Sequence, residues 1–229
     1  MIAAENFVAG TPGVLPEQVT QLFVPGRGRA DDGIELSEAS AARFEYAADF
    51  FVTHNLLERG GQIVCSGYKT PRDFNGEPWV DPTTGIVYQG VPEAISGASI
   101  LLGRGIPAEC IKVEPNAVDS PGNFVLGRKL LRPGEATGVV AQAGHLERML
   151  NQIAARTISQ PYVGLVVPET PNPDHDSPIA AAHSAYILRG MTPDNPDLQA
   201  ITEARSARAW RVVLAAEALV KLLRKAPSR

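Results

Sequence analysis

Residues 137–156 read TGVVAQAGHLERMLNQIAAR. The first six form an apolar run bounded by small residues, the signature of a strand buried on both faces. From Gly144 the period changes. Leu146, Met149, Leu150 and Ile153 recur at helical spacing and define one apolar face. Strand and helix meet at Gln142, Gly144, His145 and Arg148, a polar cluster at the strand's carboxyl end. One strand, one polar junction and one helix make half of a parallel crossover unit, and the rest of the chain repeats the pattern.

Working outward, strand candidates are TQLFVP (20–25), QIVCS (62–66), CIKVE (110–114) and YVGLVVP (162–168). Helix candidates lie between them. Residues 35–60 carry Leu36, Ala39, Arg43, Ala47, Phe50, His54 and Leu57 at helical spacing, stopped by Gly60 and Gly61. VPEAISGASILLGRG (91–105) ends at Gly105, and DSPGNFVLGRKLL (119–131) opens on Ser120 and Pro121, a good cap and first-turn pair. Short Val/Ile-rich strands alternating with helices predict an α/β domain of three layers, Rossmann-like, with a mainly parallel sheet covered on both sides. Two further helical stretches, 179–190 and 197–225, close the chain. All 229 residues are expected to form one domain, with its core at about 20–167 and a helical extension over 180–226.

Composition narrows the function classes. The formal charge is −4, from 21 basic and 25 acidic side chains. Such a chain has no general attraction for nucleic acid or anionic lipid, so any anion site must be local. No apolar run approaches the ~20 residues that span a bilayer, and the expected compartment is the cytoplasm. Cys65 and Cys110 lie in apolar runs, without a CxxC pattern, and read as packing residues. The cluster Asp174, His175 and Asp176 has no ordered metal-ligand spacing. No metal site and no cofactor is assigned.

In an open parallel sheet, ligands sit beyond the carboxyl ends of the strands. Polar residues collect there four times: Gly26, Arg27, Gly28 and Arg29; Ser66, Gly67, Tyr68 and Lys69; Glu114, Asn116, Asp119, Ser120 and Asn123; Gln142, Gly144, His145 and Arg148. The glycines of PGRGR permit a tight turn whose amides can hold an oxyanion, and arginine adds a planar fork for phosphate or carboxylate. Neither the third glycine of GxGxxG nor the GK[ST] ending is present. The turn reads equally as a surface loop with solvated arginines. His145 reads as a proton carrier or as a capping residue. Glu93 and Glu114 form a candidate acid–base pair whose separation the sequence leaves open. The irregular insertion from Tyr68 to Gly90 carries Tyr68, Phe74, Trp79 and Tyr88, as expected of a lid or ligand wall or of a packed surface loop. The last helix carries Trp210 in a long apolar run, expected to cover the sheet or, as the preferred reading, to pair with a second copy.

Taken in order, LFVPGRG, Arg43 in AARFEYAADFF, IVCSG, EAISGASILLGRGIPAECIKVEPNAVDSPGN and AQAGHLERM resemble the DUF218 family, also called the YdcF-like or ElyC/SanA/YdcF family. The resemblance runs from about Leu22 to Val167. It implies a Rossmann-like domain with ligand-binding positions at Gly26, Gly28, Arg43, Ser66, Gly67, Ser120, Asn123 and Arg148; Arg27, Arg29 and Asn116, read from the strand ends, complete the expected ligand-binding set. His145, Glu93 and Glu114 are then the catalytic candidates. Pro25 and the arginines in the first turn, Ala143-Gly144 before the histidine, and the long insertion depart from the family pattern. The leading expectation is an enzyme, a hydrolase or transferase, acting on a phosphorylated or nucleotide-linked metabolite. The alternative is a non-catalytic nucleotide-like ligand-binding or regulatory protein.

Overall fold

A computed structural model describes residues 7–30, 34–71, 76–170 and 178–225, with side chains to residue 219. Phe74 and the Asp174, His175 and Asp176 cluster lie outside the described residues. The strands are β1 (Phe7–Val8), β2 (Gln21–Pro25), β3 (Gln62–Ser66), β4 (Pro78–Val80), β5 (Val87–Gln89), β6 (Ile111–Glu114), β7 (Thr137–Gln142) and β8 (Tyr162–Val167). The helices are α1 (Glu38–Thr53), α2 (Glu93–Gly103), α3 (Ser120–Gly127), α4 (Ala143–Arg148), α5 (Ala155–Thr157), α6 (Pro178–Ile187) and α7 (Leu198–Lys225). A π-helical segment, Met149–Ala154, joins α4 to α5.

The main sheet has the order β1-β8-β7-β2-β3-β6. All pairs are parallel except β1 with β8, an antiparallel edge. Side-chain parity explains the three layers. Leu22, Val24, Ile63, Cys65 and Leu165 point to one face and pack with Phe44, Phe50 and Leu101 of α1 and α2. Phe23, Val64, Val139 and Ala141 point to the other and pack with Phe124, Leu146, Leu150 and Ile153 of α3, α4 and the π segment. Both cysteines are free and buried, and burial pushes the Cys65 thiol well above its ordinary value.

Chain direction turns outward in opposite senses from β2. The chain runs to β3 and β6 on one side and returns to β7 and β8 on the other. The gap between the carboxyl ends of β2 and β7 is therefore the topological switch point, where a crevice must open.

Several boundaries differ from expectation. Helix α1 is capped by Ser37, whose hydroxyl accepts from the Ser40 amide at 3.1 Å, and it ends at Thr53 rather than near Gly60. Asn55 adopts φ 50°, a left-handed conformation that the helix cannot propagate through. The insertion is not structureless: β4 and β5 pair antiparallel, with Trp79 opposite Tyr88. Its turn is held by Asp81, which accepts from the Thr83 amide at 2.8 Å and the Thr84 hydroxyl at 2.7 Å. Helix α7 does not lie across the sheet. Leu198, Thr202 and Ser206 near its start are buried, whereas Val212 and Leu219 are exposed. Among the described residues no helix is long and apolar enough to cross a membrane.

Candidate functional site

Arg43 marks the switch point. Its side chain is fully buried, projecting from α1 to the place where β2 and β7 part. Nε donates to Gln142 Oε1 at 2.8 Å, and Nη1 donates to the carbonyls of Pro25 at 2.9 Å and Gly26 at 3.3 Å. The Gln142 amide in turn donates to the Ala39 carbonyl at 2.8 Å. One guanidinium thus fixes the ends of both strands and the first turn of α1, and places a positive charge at the floor of the crevice.

Above it opens a cavity of about 350 Å³. It gathers residues from all four strand ends. Arg27, Arg43, Lys69 and Arg148 supply cationic side chains to its wall, and Glu93 and Asp119 supply carboxylates. Arg43, Lys69 and Arg148 are each less than a tenth exposed (0%, 3% and 7%). The Lys69 ammonium lies 5.5 Å from the centre of the Tyr68 ring, a cation–π position that keeps it at the wall. Arg148 Nη1 donates to the Ser184 hydroxyl at 2.9 Å, and Nη2 lies 3.5 Å from His145 Nδ1. Guanidinium is donor-only, so Nδ1 stands as the acceptor.

The glycine turn behaves differently from its sequence reading. It does hold an oxyanion, but the oxyanion belongs to the protein: Gly28 N donates to Glu93 Oε2 at 3.0 Å. A Cβ at Gly26 would overlap the same oxygen, so a side chain here would displace the Glu93 carboxylate from the turn. Gly28 has φ 95°, open to glycine and strained for others. The start of α2 is likewise satisfied internally, by Glu93 N to the Tyr68 carbonyl (2.9 Å) and Ala94 N to the Gly67 carbonyl (2.8 Å). The amides of Gly28, Glu93 and Ala94 are therefore already bonded within the protein.

The two arginines of the turn diverge. Arg27 lines the crevice cavity. Arg29 lines a second cavity of about 300 Å³ and donates through Nη1 to the Ile34 carbonyl and, at 3.5 Å, to the Ser96 hydroxyl. Lys69 lines both.

Gly26, Gly28, Gly67, Glu93, Ser120, Asn123, His145 and Arg148 also reach the crevice wall. Ser66, Glu114 and Asn116 do not. Ser66 donates to Glu114 Oε2 at 2.8 Å and approaches the Asn123 carbonyl at 3.1 Å. Glu114 Oε1 accepts from the Asn116 amide at 2.7 Å, and Asn116 Oδ1 accepts from the Tyr88 hydroxyl at 3.3 Å. This network lies behind the cavity and holds the β3 and β6 ends in register. Burial pushes the Glu114 carboxyl above its ordinary value, against the lowering effect of those hydrogen bonds. The expected Glu93–Glu114 pair therefore divides: Glu93 lines the cavity and Glu114 supports its floor.

The remaining wall comes from α6 and α7, which sequence reading did not bring to the site. Asp119 joins them to the sheet. Its Oδ1 caps α3 by accepting from Gly122 N at 2.8 Å. Its Oδ2 lies 3.2 Å from His183 Nε2, accepts from the Trp210 indole N–H at 3.2 Å, and takes a further bond from the Ser206 hydroxyl. Burial works to raise this carboxyl, but the bonds from His183, Ser206 and Gly122 outweigh it and hold Asp119 below its ordinary value. The Trp210 ring stacks edge-on against His183 at 5.3 Å and faces the chain's own cavity.

Chemically, the cavity wall is polar, with more cationic side chains than carboxylates. Nearby hydroxyls have structural partners: Ser66 serves Glu114, Ser184 accepts from Arg148 and Ser206 donates to Asp119. Among the described residues, no group of three or more His, Cys, Asp and Glu side chains is placed to hold a metal ion. Comparison with protein-family models, with curated proteins and with solved structures finds no match to this chain.

Proposed function

We propose that the chain is a small-molecule-binding protein whose ligand is a phosphorylated or nucleotide-like anion held at the carboxyl ends of β2, β3, β6 and β7. The observation that carries this reading is the charge balance of the crevice. Four basic side chains share a cavity of about 350 Å³ with two carboxylates. One carboxylate, Asp119, is already held by His183, Ser206 and Trp210, and the other, Glu93, by the glycine turn. The cavity wall thus carries more cationic than carboxylate side chains, a local surplus that favours an anionic ligand. A phosphate group supplies negative charge and matches the arginine fork. The DUF218-like order of strand-end residues supports the same proposal, since it assigns Gly26, Arg43, Gly67, Asn123 and Arg148 to one ligand.

The test is a titration panel: inorganic phosphate, pyrophosphate, nucleoside mono- and diphosphates and their dephosphorylated counterparts, followed by calorimetry and, in parallel, by chromatography of each compound after incubation. Saturable binding that requires phosphate, with every ligand recovered intact, is the expected result. Conversion of a phosphoester would reassign the protein as a hydrolase or transferase, with His145 and Glu93, both on the cavity wall, as the groups to substitute first. Equal binding of phosphorylated and dephosphorylated forms contradicts the anion reading.

A further inference from the structure

The second cavity lies beside the crevice, and the two share Lys69. Its character is different. Ile34, Pro78, Trp79 and Val91 give it an apolar wall, while Arg29, Lys69 and Glu77 supply its charged side chains. Two flat groups therefore line it, the Trp79 indole and the Arg29 guanidinium. Both suit the face of an aromatic ring.

The wall is also braced. Trp79 packs on Tyr88 with ring centres 6.1 Å apart, and Tyr88 packs edge-on against Tyr68 at 5.4 Å. The Tyr68 hydroxyl accepts from the Gln89 amide at 2.7 Å and donates to the Gln89 carbonyl at 3.0 Å, tying the β4–β5 hairpin to the end of β3. Tyr68 itself lines the crevice. A continuous row of rings, Tyr68, Tyr88 and Trp79, thus connects the wall of the anion cavity to that of the apolar one. The two cavities meet at Lys69, which lines both.

We infer that the second cavity is the base subsite of a nucleotide whose phosphates occupy the crevice, the heterocycle resting on Trp79 and Arg29 and the phosphates meeting Arg27, Lys69 and Arg148. This rests on the anion-binding reading and names the ligand class for the same site. The glycine turn then has a function for each arginine: Arg27 serves charge in one cavity and Arg29 serves a ring in the next. Stacking of a base on an aromatic side chain changes affinity by roughly 5- to 150-fold.

The experiment is calorimetric titration of the full chain with pyrophosphate, ribose 5-phosphate, geranyl pyrophosphate and the tightest of ADP, GDP and UDP. It is repeated with Trp79→Ala and Trp79→Phe. In the wild type the nucleotide binds at least about tenfold more tightly than pyrophosphate. Trp79→Ala removes that advantage and leaves pyrophosphate affinity unchanged, and Trp79→Phe retains most of it. If pyrophosphate binds but the nucleotide has no advantage, or if Trp79→Ala weakens both ligands equally, the base subsite is wrong and the anion site stands. Tighter binding of geranyl pyrophosphate than of the nucleotide, with the same dependence on Trp79, overturns the base in favour of an apolar chain. If no phosphorylated probe binds the wild type, the anion reading itself fails and the subsite falls with it.

Discussion

Replacing Asp119 by alanine removes one carboxylate that three elements share. The α3 cap, Gly122 N to Oδ1 at 2.8 Å, is lost, at a cost of about 1 kcal/mol. Ser206 is 5% exposed and the His183 side chain 14%, so neither donor gains good access to water when its acceptor disappears. Orphaning such donors costs about 1–3 kcal/mol each, less wherever the side chain turns outward. The partly exposed Trp210 N–H adds little. These effects are coupled, and the expected total is about 3–4 kcal/mol. For a chain of this size each kcal/mol lowers Tm by about 2–4 °C, so Asp119→Ala should melt roughly 10 °C below the wild type. Circular dichroism at pH 7 measures the shift, and hydrogen exchange locates it: α6 and the first half of α7 should lose protection while β2, β3 and β7 keep theirs. The pH dependence has a defined sign. Asp119 sits below its ordinary value of 3.8 in the folded chain, so its contribution is present above that value and is lost as pH falls through the lower one. The difference between wild type and variant should therefore persist from pH 7 to about pH 4 and shrink at lower pH. A variant that melts within about 2 °C of the wild type, with unchanged exchange in α6 and α7, would refute the assignment of Asp119 as the clamp.

Two other substitutions probe the floor and the turn. Gly26→Ala drives a methyl group into Glu93 Oε2 and should break the Glu93–Gly28 bond; a loss of about 1–3 kcal/mol in urea unfolding is expected, and unchanged stability contradicts the nested-carboxylate geometry. Glu114 is held above its ordinary value of 4.5, so its ionisation opposes folding: the contribution of the protonated acid is full below that value and declines as pH rises through the raised one. Wild type should therefore gain stability relative to Glu114→Gln as pH is lowered from neutrality toward 4.5, and a difference independent of pH contradicts the burial argument.

The strands that build the main sheet's centre were legible because a strand covered on both faces is a continuous apolar run, and β2, β3 and β7 are buried at every position. β1, β4 and β5 span only two or three residues, too short to carry a period, and their pairing depends on contacts distant in the chain. The strand-end rule brought Gly26, Arg27, Lys69, Ser120, His145 and Arg148 into view, since those positions follow from topology alone. It could not separate Ser66, Glu114 and Asn116, which turn inward, from their neighbours that turn to the cavity. Nor could it foresee that Glu93 fills the glycine turn. The α6–α7 wall was hidden for another reason. His183 and Trp210 reach Asp119 across 64 and 91 residues, and each sits mid-helix with no local pattern to mark it. Trp210, read from its apolar neighbours as an anchor for a second copy, donates its indole N–H to Asp119 of its own chain, a bond its neighbours in sequence do not signal.

The central claim is that the crevice at the switch point holds phosphate through Arg27, Lys69 and Arg148. A crystal structure of the chain with its tightest-binding nucleotide tests it most directly. Phosphate oxygens are expected within about 3 Å of the Arg27 and Arg148 guanidinium nitrogens and the Lys69 ammonium, above Arg43. Phosphates bound elsewhere on the molecule, with the crevice filled only by water, would contradict it.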